Sequence, residues 1–322
     1  MVIMVRILAA ISIALCACTY DVSFSECVVH CDDDSGCPDG LTCGPEGLCR
    51  GAEAEVCVLP NDGTGGTITH MDGRTVHTFV ASQSGATFAP PALGTVEVLV
   101  AAGGGGGGTT RGGGGGGAGG LVYAATYAID QPSYVVTVGY GGESRSSGGD
   151  SIFGTITTIG GGGGRSCTTP NGGSGGGASH DTNDGPPGSG TSGQGNRGAL
   201  VGYNSGGMTF TGAGGGGAGG SGADGTQSAA GAGGPGLAYT ISGEQIYYAD
   251  GGGGGAQDLG NHSLAPGSGG SGGGGAGGLN EAGKDGLDET GGGGGGGGAF
   301  LNGGRGGSGV VILSYETIAG GN

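Results

Sequence analysis

Between residues 75 and 315, apolar and polar side chains alternate with a period of two in short blocks, the spacing of half-buried β-strands rather than of amphipathic helices. The blocks are 75–80 (Thr-Val-His-Thr-Phe-Val), 95–102 (Thr-Val-Glu-Val-Leu-Val-Ala-Ala), 121–129, 134–140, 152–159 and 310–315 (Val-Val-Ile-Leu-Ser-Tyr), with a shorter fragment at 246–248 (Ile-Tyr-Tyr). Block 95–102 is apolar on nearly both faces, which predicts a central strand. The turn Asp130-Gln131-Pro132-Ser133 joins 121–129 to 134–140. Strands at both ends of the region predict pairing across it. The expected fold is therefore all-β, a β-sandwich of high contact order with essentially no α-helix beyond the N-terminal leader.

Glycine separates the blocks. Of 322 residues 96 are glycine, and 85 of these lie after residue 100, where they make up 38%. A helix interior disfavours glycine by about 1 kcal/mol relative to alanine, which excludes helical and doubly wound folds. Collagen is excluded because there is no strict Gly-X-Y period and only 11 residues are proline. Near-pure glycine runs occupy 103–108, 112–117, 160–164, 214–217, 251–255, 272–275 and 291–298. Gly/Ser composition ordinarily marks a flexible linker, but a linker has no reason to recur seven times between strand-forming blocks. Lacking a Cβ, glycine lets backbones approach closely. In an extended three-fold helix every N–H and C=O points outward and needs a neighbour. At about 3.1 Å per residue, runs of about six to eight residues span ~19–25 Å, the thickness of a small domain. The runs are expected to be ordered polyglycine II helices.

Several segments line up in one order: Val76-His-Thr-Phe79, Val96 to Val100 followed by Ala-Ala-Gly-Gly-Gly, glycines 112–120 leading into Leu121-Val122-Tyr123, Tyr134 to Gly142, Gly172-Gly-Ser-Gly-Gly-Gly177, and Gly306-Gly-Ser-Gly-Val-Val-Ile-Leu313. Over residues 70–316 this order resembles the glycine-rich domain family of phage tail-fibre tip adhesins, bacterial surface proteins and the extracellular region of leukocyte/anaplastic lymphoma receptor tyrosine kinases. The resemblance implies a β-sandwich with an inserted polyglycine II helix bundle. In the phage adhesins, loops joining those helices carry receptor recognition. The receptors' kinase and transmembrane parts have no counterpart here, so signalling gains no support.

The first residues have a different character. Arg6 precedes the apolar stretch 7–15, which is too short to span a bilayer and fits the core of a signal peptide over 1–17. The sequence Leu15-Cys16-Ala17-Cys18 resembles the bacterial lipobox, which would make Cys18 the lipid-modified first residue of an outer-membrane or cell-surface lipoprotein. The competing reading is ordinary secretory cleavage, with Cys18 a free or paired thiol. Residues 18–57 form a small module carrying Cys27, Cys31, Cys37, Cys43, Cys49 and Cys57. So short a segment buries little core, and an even cysteine count behind an export signal predicts three disulfides, in any of about 15 pairings. Zinc would need CxxC-type pairs, which are absent, and Asp32, Asp33 and Asp34 lack the ligand alternation of an EF-hand. Residues 58–69 read as a linker, 317–322 as a tail, and Cys167 as a loop thiol, tolerated, reactive or paired between chains.

A net charge of −17, with nine basic residues against 26 acidic, excludes a phosphate-backbone binder, so no nucleic acid partner is expected. Catalytic, metal and cofactor sites are not predicted. Gly278-Leu-Asn-Glu-Ala-Gly283-Lys284-Asp285 misses the Ser/Thr of a Walker A loop, and GxSxG matches around Ser174 and Ser271 are chance at this glycine content. His180 and Asp181 read as an exposed loop pair, and His70 and His77 as strand-surface residues. Polar groups between the glycine runs are the candidate contacts: Arg165, Thr168, Asn171, His180, Asp181, Asn183, Asp184, Gln194, Asn196, Arg197, Gln257, Asp258, Asn261 and His262. The leading expectation is a non-enzymatic exported adhesin that binds a surface glycan or protein receptor and is held to the membrane by its lipid. A self-associating coat or matrix protein is the alternative, and an exported hydrolase a weaker one.

Overall fold

The computed structural model describes residues 31, 34–37, 40–44, 49–51, 62–164, 170–180, 186–201, 208–260 and 262–317. Two compact units divide the chain, Met1–Leu59 and Pro60–Asn322. In the first, a two-stranded ladder pairs β1 (Thr42–Cys43) with β2 (Cys49–Arg50). Disulfides Cys31–Cys43 and Cys37–Cys49, each closing a sequence separation of 12, hold this small ladder. Short covalent loops supply here what a core of this size does not. Cys18, Cys27 and Cys57 lie outside the described residues.

The second unit is built on two antiparallel sheets. The larger has the strand order β3 (Thr67–Met71), β4 (Arg74–Val80), β15 (Val310–Glu316), β6 (Gly94–Ala101), β7 (Leu121–Ile129). The smaller has the order β10 (Ile156–Thr158), β9 (Ser151–Phe153), β8 (Tyr134–Thr137), β5 (Thr87–Phe88). Phe79, Val98, Val100, Val311 and Leu313 from the first pack on Phe88, Val136 and Phe153 from the second. The other face of the larger sheet presents Val76, Leu99 and Ile312 to Ile241 and Tyr248 of the hairpin formed by β12 (Leu237–Tyr239) and β13 (Ile246–Tyr248). Burial on both faces explains why blocks 95–102 and 310–315 are almost continuously apolar. The first and last long strands do pair, Val80 opposite Val310 through Arg74 opposite Glu316, and β15 takes the middle of the sheet with β6 beside it.

Three expectations need correcting. The stretch 58–69 is not a linker over its described part, because 67–69 begin β3 and Thr64 bridges Ala89. Gly65 and Gly66 hide this strand in the sequence, yet they are needed where the chain crosses β4 and β5: a Cβ on Gly65 would strike the Thr87 carbonyl. The buried carboxylate of Asp62 accepts from His70 Nε2 (2.9 Å) and Thr75 Oγ1 (3.2 Å). Nor are His70 and His77 on strand surfaces; both are buried. His77 donates Nδ1–H to the Gly65 carbonyl (2.7 Å), and the Tyr315 hydroxyl sits between His77 Nε2 (2.8 Å) and the Asp62 carbonyl. Burial holds the His77 pKa below its ordinary value, against the opposing pull of the Gly65 and Asp62 carbonyls. Block 152–159 is also divided, since Gly154 turns at φ +54° and folds it into the β9–β10 hairpin.

The glycine runs are ordered, and their hydrogen bonds repeat every three residues. Gly103 and Gly106 donate to Gly149 and Ser146; Gly104 and Gly107 donate to Gly307 and Gly304; Gly105 and Gly108 donate to Gly117 and Gly114. Successive residues thus address three different neighbours, the signature of a three-fold helix in an array. The run 291–298 repeats the pattern: Gly293 and Gly296 reach Asp250 and Gly253, Gly294 and Gly297 reach Gly105 and Gly108, and Gly295 and Gly298 reach Lys284 and Glu281. The helices leave the sandwich where β6 and β10 end and return to it where β7 and β15 begin. Their outer turns form a tip one helix length away, ~19 Å for a run of about six residues.

Close packing sets the requirement for glycine. A Cβ on Gly294 would run into the carbonyl oxygens of Gly304 and Arg305. Gly294→Val is expected to destabilise the unit by well over ~1 kcal/mol, the middle of the range for point mutants, because overpacking must part the backbones. Ser189→Val, at an exposed side chain, is the control and should leave the melting transition in place. An unchanged transition for Gly294→Val would contradict the packing.

Candidate functional site

The outer turns are brought together by the helix array, and the most developed cluster among the described residues stands on two of them. The chain reverses at Thr109 to Arg111, between runs 103–108 and 112–117, and again at Ala299 to Leu301, after run 291–298. The turns bond to each other: Ala299 N–H donates to the Arg111 carbonyl (3.1 Å) and Phe300 N–H to the Thr110 carbonyl (2.9 Å). Ala299 and Phe300 both adopt left-handed backbone conformations, φ +53° and +64°, which side-chain-bearing residues adopt at a cost. The result is a Phe300 ring 61% exposed at the tip.

Beside it lies β11 (Thr209–Thr211), paired with β14 (Ala256–Asp258) so that Phe210 faces Gln257. The Arg111 guanidinium carbon sits 4.7 Å from the buried Phe210 ring centre and 5.7 Å from that of Phe300. His180 meets Phe210 edge-on at 4.9 Å, and its backbone N–H donates to the Gly112 carbonyl (2.8 Å). One cation is thus lodged between two rings, with its approach from solvent left open. The neighbouring loop is organised by Asp258, whose carboxylate accepts from Gly260 N–H (2.9 Å), His262 N–H (2.7 Å) and His262 Nδ1 (2.9 Å). The His262 hydrogen bond, then that of Gly260, brings the Asp258 pKa down to about 2. Its charge shapes the loop.

The polar candidates divide by place. His180 packs on Phe210 and Gln257 is the cross-strand partner of Phe210, Asp258 and His262 bond to each other in the neighbouring loop, and His180 is buried rather than an exposed loop residue. Ser174 is buried as well. Gln194 lies at the sandwich end, where Oε1 accepts from Ile159 N–H (2.9 Å) and Nε2–H donates to the Thr157 carbonyl (2.9 Å). Asn196 donates to the Gly217 and Ala218 carbonyls, and Asn171 accepts from Ser189 N–H. These three satisfy backbone groups. Arg197 is exposed. Arg165, Thr168, Asp181, Asn183, Asp184 and Asn261, with Cys167, lie outside the described residues. The sulfurs of Cys31, Cys37 and Cys43 cluster within 4.8 Å, but the two disulfides hold them and leave no thiolate for a metal.

Arg111, Phe210 and Phe300 escape a reading that looks only for polar loops. Their signal is the brevity of the interruption: three residues between two glycine helices make a tight turn, and a turn in an array must surface at one end. Against known proteins, the family model described as Glycine-rich domain matches residues 80–316. The search of curated proteins found no match. With most of its length covered, from the end of β4 to the end of β15, the chain belongs to the glycine-rich domain family.

Proposed function

We propose that this chain is an exported, lipid-anchored surface protein that recognises a glycan or protein receptor through the outer turns of its glycine helices. The observation that carries the reading is the Arg111–Phe210–Phe300 stack, in which an exposed guanidinium rests on a buried ring and is flanked by the exposed Phe300 ring of a strained turn. Arginine and large aromatics are enriched in binding hot spots: an aromatic ring buries much area for two rotatable bonds, and a guanidinium offers a planar fork of N–H donors. The array immobilises them beforehand, which lowers the entropy lost on binding. Strain at an exposed turn is retained at a stability cost, and a recognition role accounts for it. The resemblance to the phage adhesins, whose corresponding loops recognise receptors, agrees with this assignment. Export is supported by the leader over 1–17 and by the disulfides, which persist in oxidising compartments.

Two measurements test the two halves of the reading. Binding of the full chain to a panel of bacterial and eukaryotic cells should fall at least ~10-fold in Phe300→Ala. Melting should be unaffected, because the ring is exposed; unaltered binding would refute the assignment of the tip. For the anchor, Leu15-Cys16-Ala17-Cys18 predicts that the intact mass of membrane-associated protein exceeds that of the chain beginning at Cys18 by a diacylglyceryl group. An unmodified polypeptide mass would rule the anchor out.

A further inference from the structure

At the opposite end of the sandwich, where β6 begins and β15 ends, a half-open groove of about 440 Å³ is lined by Pro91, Ala92, Leu93, Thr95, Ala125 and Glu316, among others. It abuts a second hollow of about 280 Å³ under the β12–β13 turn, and Arg74, Glu97 and Ser314 belong to both. Volumes of this order suit a small ligand rather than a macromolecular face. The wall between them is a polar chain: Arg74 Nη2–H donates to Glu97 Oε2 (2.7 Å), Arg74 Nε–H to Ser314 Oγ (2.8 Å), and the Tyr123 hydroxyl to Glu97 Oε1 (2.7 Å). Tyr123 in turn stacks on Tyr239 at 4.6 Å. The Glu97 contact raises the Tyr123 pKa to about 12, which keeps the phenol protonated as a donor. A β-bulge opens the site. Ala125 and Thr126 together oppose Glu97, and the extra residue bends β7 locally.

The groove has a definite chemistry. Arg74 has Nη1 uncommitted among the described residues, so it offers paired N–H donors in a fixed fork. Glu97, Glu316, Thr95 and Ser314 offer acceptor oxygens, the two hydroxyls also donors. Pro91, Ala92, Leu93 and Ala125 provide an apolar strip alongside, with Leu93 67% exposed. One guanidinium faces Glu97 and Glu316 in the groove and Asp72 in the adjoining hollow, so an anionic ligand is repelled. A sugar ring matches what remains, with an apolar C–H face and an edge of neighbouring hydroxyls that both donate and accept. We infer that this groove binds a neutral saccharide of one or two rings, with Arg74 and Glu97 holding adjacent hydroxyls and the Pro91–Leu93 strip covering the ring face. The site is separate from the tip and stands or falls independently of it.

The test is an array of neutral, sialylated and sulfated glycans probed with the full chain, its Ala125→Gln and Arg74→Met variants, and Phe300→Ala. Ala125 is exposed, so a glutamine there fills the groove without entering the core. Capture of neutral glycans is expected, falling at least ~10-fold in Ala125→Gln and in Arg74→Met and unchanged in Phe300→Ala. Should Arg74→Met fail to fold, Ala125→Gln decides. Three results would each overturn the proposal: no capture, capture confined to acidic glycans, or neutral capture that Ala125→Gln leaves intact. Loss of capture in Phe300→Ala alone would assign the saccharide to the tip, refuting the groove while sparing the surface-recognition reading.

Discussion

Everything in the larger unit depends on backbones approaching to hydrogen-bonding distance with no side chain between them. A three-fold extended helix makes no internal hydrogen bonds, so each N–H must find an acceptor on another chain segment. In the array most of those acceptors are carbonyls at 2.7–3.0 Å, supplied by parallel and antiparallel neighbours alike, while the Ser179 hydroxyl and the Asp150 carboxylate accept from Gly114 and Gly160. The positions where a Cβ would stand are already occupied by carbonyl groups, as at Gly104, Gly105, Gly294 and Gly296. Glycine costs about 0.5–1 kcal/mol of additional chain entropy per residue. A net hydrogen-bond contribution of about 0.5–1.5 kcal/mol is of the same order. The balance holds only while the bonds are made along the whole run, which makes the array cooperative.

That cooperativity divides the labour within the fold. The sandwich provides the hydrophobic core, Phe79, Phe88, Phe153 and Leu313 among its buried members, and fixes both ends of the chain segment that carries the helices. The helices transmit this rigidity to turns that contribute nothing to the core. Arg111 and Phe300 gain fixed positions from the backbone hydrogen bonds that join their two turns, not from burial. Sequence at the turns is therefore free to follow binding demands, while the runs beneath them are not. The groove beside Arg74 and Glu97 lies at the other end of the same strands, where a bulge in β7 rather than a helix array shapes the surface.

Much of this fold was legible in the sequence. Period-two alternation located β4, β6, β7 and β15, and the double-sided apolarity of 95–102 foretold the interior place of β6 in its sheet. The recurrence of glycine between strands, rather than its abundance, foretold the helices. Other parts were masked by the same composition. β3 was hidden because Gly63, Gly65 and Gly66 read as linker, whereas they let the chain pass over Phe79 and the Thr87 carbonyl. Gly154 disguised a hairpin as one strand. At the candidate site, polarity proved an incomplete guide: Gln194 and Asn196 serve the backbone, His180 is buried, and the most exposed aromatic of the tip cluster is Phe300. Pairwise proximity across 100 or more residues, such as Arg111 with Phe300, follows from the register of the array, and no local pattern encodes it.

The central claim is that the glycine runs are structure held by interhelix hydrogen bonds. Amide hydrogen exchange, resolved over 103–108 and 291–298, tests it most directly, because opening the array should require much of the unit to open. Protection comparable to that of β6 and β15 is the predicted result. Exchange in those runs at the rates of a free glycine peptide, with β6 and β15 still protected, would contradict it.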